Sequence, residues 1–114
     1  MDCIFCKIIK GEIPSKKVYE DDRTMAFLDI NPVSEGHTLV IPKKHAENLF
    51  DIGKDDLLSV IETVKKVAEQ RKKDGADGVN IIQNNGKPAG QIVEHIHFHI
   101  IPRKNGDCLR FWPK

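Results

Sequence analysis

Apolar positions along the chain follow two rhythms. Between residues 55 and 73, Leu57, Ile61, Val64 and Ala68, joined by Leu58, Val60 and Val67, recur at the spacing of one helix face. Asp55 and Asp56 open that segment and Arg71, Lys72 and Lys73 close it. Both placements suit the helix dipole, so the basic trio reads as a solvated helix end, with Gly75 as the residue just past it. Elsewhere the apolar runs are short and rich in β-branched residues. Lys17–Glu20, Thr24–Leu28, His37–Ile41, Val79–Gln83 and Val93–Ile101 predict strands, the third and fifth stopped by Pro42 and Pro102. The turn at Glu20-Asp21-Asp22-Arg23 makes a hairpin of the first two. Residues 4–10 predict a short helical turn ended by Gly11, and Asn84–Gly90 is a loop by composition.

This order predicts an α+β fold: a five-stranded, mainly antiparallel sheet with one long helix and a short N-terminal one. One long helix cannot cover both faces of such a sheet. A free face or edge therefore predicts pairing with a second copy, a homodimer.

With 114 residues, 1–114 read as a single domain large enough for an ordinary core. The 18 Lys+Arg against 17 Asp+Glu give a net charge of +1, which argues against a nucleic-acid partner held by field. No apolar run approaches the ~18 residues of a membrane span. No secretory signal precedes Cys3, so a cytoplasmic location is expected.

Cysteine usage agrees. Three cysteines, an odd number, speak for a reducing compartment rather than a disulfide framework. Cys3-Ile4-Phe5-Cys6 lacks room for the strand that precedes a thioredoxin-type pair. It supplies only two of the four ligands a closed zinc site needs, so any partners come from the histidines. Cys108 reads as a small semi-buried hydrophobe.

His95-Ile96-His97-Phe98-His99 alternates with period two, which puts three imidazoles on one strand face and Ile96, Phe98 and Ile100 towards the core. Solvation alone rarely selects three successive histidines. Two chemistries remain: a metal shared by neighbouring histidines, or nucleophilic and acid–base work by neutral imidazole near pH 7.

His95-Ile96-His97-Phe98-His99-Ile100-Ile101 resembles the signature of the histidine triad (HIT) family, Hint-like and bacterial-type members in particular. Two further blocks fit it: Phe27-Leu28-Asp29-Ile30-x-Pro32 and Gly36-His37-Thr38-Leu39-Val40-Ile41-Pro42-Lys43-x-His45. So does Asn84-x-Gly86-x-x-x-Gly90-Gln91. The resemblance runs from about Cys3 to Arg103.

The resemblance implies a HIT-like fold whose dimer joins two sheets into one larger continuous sheet. It implies a hydrolase or transferase acting at the α-phosphate of AMP-X compounds, purine nucleoside phosphoramidates and aminoacyl-adenylates, through a nucleotidyl-histidine intermediate. His97 would be the nucleophile, with His99 and His37 on the phosphate. Asp29 would take the ribose hydroxyls, and Ile4, Phe5, Phe27 and Ile30 would wall the base. Asn84, Gly90, Gln91 and the backbone of Ile92 would meet phosphate; many relatives carry Ser or Thr where Ile92 stands. Relatives that pair an N-terminal Cys-x-x-Cys with two histidines imply a structural zinc on Cys3, Cys6, His45 and His95, and no organic cofactor. Phe111-Trp112-Pro113 would reach towards a neighbouring subunit. The alternatives are a dinucleoside polyphosphate hydrolase, favoured by Pro102-Arg103-Lys104-x-Gly106-Asp107, and a nucleotide-binding regulatory module with weak activity. A metal-dependent hydrolase using neighbouring histidines is a further class.

Overall fold

The computed structural model describes residues 3–109; Phe111, Trp112 and Pro113 lie outside them. The elements run α1 (Ile4–Ile9), β1 (Lys17–Glu20), β2 (Thr24–Leu28), β3 (Thr38–Pro42), α2 (Lys54–Lys73), β4 (Gly78–Gln83), a 3₁₀ turn (Lys87–Ala89) and β5 (Phe98–Arg103). The five strands form one sheet in the order β1-β2-β3-β5-β4, every neighbouring pair antiparallel. The expected α+β class and strand count hold.

Both faces of the central strands are buried, and register explains how. Ala26 lies opposite Val40, and Val40 opposite Phe98; this row joins Ile96, Ile100, Val60, Val64 and Val67 in the core beneath α2. One residue along, Phe27 lies opposite Leu39 and Leu39 opposite His99. That row turns to the other face, where Cys3 and Phe5 of the α1 segment pack on Met25, Phe27, Leu39 and Ile41. The short helix thus covers part of the second face, beside the third histidine.

Four details differ from the sequence reading. The helix face is centred on Val60, Val64 and Val67, while Leu58 and Ile61 are 53% and 45% exposed. At about 100° per residue Ile61 falls to the side of that stripe and Leu58 nearly opposite it. Thr63 joins it instead, its hydroxyl 2.7 Å from that of Thr24. Arg71 lies on the same stripe one turn beyond Val67 and is not a solvated end. Its guanidinium donates to the Gly36 carbonyl and the Thr38 hydroxyl, each at 3.0 Å, tying α2 to the entry of β3.

The last strand begins later and ends later than expected. Residues 93–97 carry no ladder pairing; the Ile96 N–H instead donates to the Ala46 carbonyl at 2.8 Å. β5 runs on through Pro102 because β3 has already ended at the Thr38–Ile100 pair, leaving a neighbour on one side only. Cys108 is exposed rather than semi-buried and adopts φ +61°.

Candidate active site and metal cluster

The histidines divide into two groups on the α1 face of the sheet, separated by the backbone between His95 and His97. His37, just ahead of β3, and His99, in β5, meet with Nε2 and Nδ1 3.0 Å apart. The Val33 N–H donates to His37 Nδ1 at 3.0 Å. That nitrogen must accept, so neutral His37 carries its proton on Nε2 and donates it to His99 Nδ1. His99 is thereby left with its own proton on Nε2. An Asp29 carboxylate oxygen stands 3.5 Å from His37 Nε2.

His97 is oriented from the opposite side. Its Nδ1 lies 2.8 Å from the His95 carbonyl oxygen, an atom that only accepts. The ring proton therefore sits on Nδ1, and Nε2 keeps its lone pair. The ring packs edge-on against Phe5 and His99, each with centroids 5.1 Å apart. Burial pushes the His97 pKa below the ordinary imidazole value, opposed by the His95 carbonyl contact and the Asp29 charge. Burial, with the neighbouring His97 and His37, drives His99 down to about 4. His37 is lowered by burial too, against the pull of Asp29. All three are neutral near pH 7, the form in which imidazole is a nucleophile.

Asp29, His37 and His99 are close enough together to hold a cation. The proton that Val33 fixes on His37 Nε2 already occupies the space between them, so a hydrogen-bonded chain is the better description.

The second group is Cys3, Cys6, His45 and His95, whose ligand atoms all lie within 4.8 Å of one another. His95 Nε2 donates to the Pro42 carbonyl at 2.8 Å, which leaves Nδ1 as a ligand atom. That Nδ1 is 3.3 Å from Cys3 Sγ, 3.6 Å from Cys6 Sγ and 3.2 Å from His45 Nδ1; Cys6 Sγ is 3.4 Å from His45 Nδ1. Zinc bonds of ~2.0 Å to nitrogen and ~2.3 Å to sulfur imply tetrahedral edges of about 3.3 Å between nitrogens and about 3.5 Å between nitrogen and sulfur. The residues fit the ion in both donor type and spacing. Burial lowers the His95 pKa to about 4, keeping the ring neutral as a ligand must be.

The nucleotide residues expected from sequence are spread unevenly. Phe5 is 6% exposed, its ring against His97, His95 and Phe27, so it backs the two histidines rather than lining open space. Phe27 is buried as well. Ile4, Ile30 and Ile92 are 44%, 87% and 90% exposed. Asp29 Oδ1 accepts the Asn31 N–H at 2.9 Å, a bond that leaves each oxygen a further lone pair.

Gln91 is buried and fastens the loop. Its amide accepts the Gly86 N–H at 2.8 Å and donates to the carbonyls of Glu47 at 2.6 Å and Val93 at 3.0 Å. Gly90 closes the 3₁₀ turn at φ +96°, with a Cβ there falling 3.6 Å from the Asn84 amide nitrogen. Sequence reasoning missed the carbonyls of Pro42 and His95 and the amide of Val33. These groups fix the tautomers, and no side-chain motif encodes them.

A family model described as HIT domain matches residues 10–106. An uncharacterised HIT-like protein of Methanocaldococcus jannaschii is 61% identical over 105 residues, covering 92% of this chain and 81% of that protein. An adenosine 5′-monophosphoramidase of Schizosaccharomyces pombe is 49% identical, covering 92% of this chain and 77% of its own. Among solved structures, a zinc-bound histidine triad family protein of Mycobacterium smegmatis superposes with a TM-score of 0.93. It is 42% identical, over 97% of this chain and 81% of that one.

Proposed function

This chain belongs to the HIT domain family, and on that footing we propose that it is a hydrolase of AMP-X nucleotides, cleaving at the α-phosphate. Its substrates are purine nucleoside phosphoramidates and aminoacyl-adenylates. The observation that carries this reading is the 2.8 Å contact between His97 Nδ1 and the His95 carbonyl, which leaves Nε2 as a free nucleophile in a buried, neutral ring. The phosphoramidase activity named for the fission-yeast relative supports the substrate class.

In the first step His97 Nε2 attacks the α-phosphorus and the P–X bond breaks, giving a nucleotidyl-histidine. The positive charge on the ring is stabilised by the Nδ1–H···O=C bond to His95. His99 Nε2–H, whose tautomer the His37 pair fixes, donates a hydrogen bond to the α-phosphate, and the leaving group takes its proton from water. Water then attacks the same phosphorus, the P–N bond to His97 breaks, and the proton lost by the water passes to solvent, leaving His97 neutral as before. Splitting one displacement in two lowers the larger barrier. Phosphate oxygens are met by His99, the Asn84 amide and the Ile92 N–H. Asp29 accepts from the ribose hydroxyls, and Phe27, Ile4 and Ile30 line the base. Phe5 serves from behind His97.

Cys3, Cys6, His45 and His95 hold a structural zinc in this reading. Four protein ligands close the coordination shell, so the ion supplies a cross-link between α1 and the sheet. Arg103 and Asp107, the pair that hinted at dinucleoside polyphosphates, bond each other in two places, at 2.9 and 2.8 Å, and Arg103 also reaches Asn80. They brace the end of the sheet.

The protein works as a homodimer joined through β4. That strand is last in the sheet order, with Ile81 44% exposed. The opposite edge, β1, is guarded by the Lys17–Glu20–Lys43 ion pairs.

Turnover of adenosine phosphoramidate by wild type and His97→Ala tests the proposal. Activity that survives in His97→Ala but disappears with a chelator overturns it.

A further inference from the structure

We propose that Cys3 and Cys6 are a site of reversible oxidation, forming a disulfide that expels the metal from their cluster. This goes beyond the turnover reading and does not depend on it. Cys3 caps α1 and its Sγ accepts the Cys6 N–H at 3.4 Å, while both sulfurs converge on His95 Nδ1 at 3.3 and 3.6 Å. The two sulfurs lie within 4.8 Å of each other. Three residues apart at a helix start, they can bond with side-chain rotation and a small backbone adjustment of that turn.

The cluster is reachable. Cys3 and His45 line an open cavity whose rim carries Glu47, Lys87 and Glu94. None of these three side chains has a hydrogen bond or ion pair among the described residues. A polar mouth of this kind admits water-sized polar oxidants to Cys3, a residue otherwise only 7% exposed. The third cysteine offers a contrast: Cys108 is exposed, and among the described residues its sulfur hydrogen-bonds only to the Gly106 carbonyl.

The oxidant is a peroxide. The Cys3 sulfur, as thiolate, attacks one peroxide oxygen; the O–O bond breaks and, with one proton, gives water and a sulfenic acid. The Cys6 thiol then attacks that sulfur, expelling the hydroxyl as a second water. Two thiols and one hydrogen peroxide become one disulfide and two waters, both electrons passing from sulfur to oxygen. A disulfide has no thiolate to offer a cation, so two of the four ligands are lost at once. A dithiol reductant reverses the bond by exchange, and the ligand set returns.

Cys3 and Cys6 fall on one tryptic peptide ending at Lys7, which makes the product legible by mass. Metal-free protein treated with one equivalent of hydrogen peroxide is predicted to lose about 2 Da on that peptide, reversed by dithiothreitol. Zinc-loaded protein, with Cys108→Ser to remove the exposed thiol, is predicted to release zinc to a chromophoric chelator as the disulfide forms. Oxidation confined to Cys108 in the wild type overturns the proposal. So does a gain of about 32 Da on the Lys7 peptide that dithiothreitol cannot reverse, or a zinc content unchanged when the disulfide is complete.

Discussion

Three of the five imidazoles are each oriented by one backbone partner. The Val33 N–H makes His37 Nδ1 an acceptor, the His95 carbonyl makes His97 Nδ1 a donor, and the Pro42 carbonyl does the same for His95 Nε2. In the proposed function the same side chain would thereby serve as a relay, a nucleophile or a ligand according to which nitrogen is engaged. His97→Ala is predicted to lower kcat for adenosine phosphoramidate by a factor on the order of 10³ or more, as removal of a covalent nucleophile does. The pH dependence has a definite sign. His99 titrates near 4 in the folded protein against 6.5 for a free ring. The unfolded chain therefore binds its proton first, and stability present above pH 6.5 is lost as pH falls towards 4. Melting temperatures measured between pH 7 and pH 4 should decline steadily, and less so in His99→Asn; equal declines would contradict the burial account.

At the scale of elements, α1 is the link between the two clusters. Its Phe5 ring touches both His97 and His95, while Cys3 and Cys6 flank that residue in sequence. Phe5→Leu keeps an apolar side chain and should cost under about 1.5 kcal/mol of stability. It should lower kcat roughly tenfold with little change in KM, since it loosens the nucleophile and not the nucleotide. Gln91→Ala should act differently. It leaves the Gly86 N–H and the Glu47 carbonyl without their partner, at about 1–3 kcal/mol, and raises KM through a loosened loop. Much of this element scale was legible in the sequence. The alternation through His95, His97 and His99 foretold one shared face even though only His99 lies in a paired strand. What period-two reading could not foresee is that the Ala46 carbonyl, not a ladder, holds Ile96. Nor could helical periodicity separate Ile61, to the side, from Thr63, which is buried by its hydroxyl bond to Thr24.

For the whole molecule, the sheet order leaves β4 at one edge and an ion-paired β1 at the other. The asymmetry was not legible in the sequence, because strand order follows from long-range pairing that local patterns do not encode. Two copies joined through β4 would also cover Ile81, opposite the buried Ile100. Ile81→Lys is predicted to shift the species seen by light scattering from dimer towards monomer, leaving the fold intact by circular dichroism. A wild-type monomer would contradict the proposed assembly. If Cys3, Cys6, His45 and His95 hold zinc as proposed, its removal should lower the melting temperature, since it would cut a link from α1 to the sheet.

The central claim is covalent catalysis by His97, and the stereochemistry at phosphorus tests it most directly. Two in-line displacements, by His97 and then by water, return the α-phosphorus to its starting configuration. Hydrolysis of an AMP-X analogue with a chiral α-phosphorothioate in ¹⁸O-labelled water is predicted to proceed with retention. Inversion would mean a single direct attack by water and would contradict the nucleotidyl-histidine intermediate.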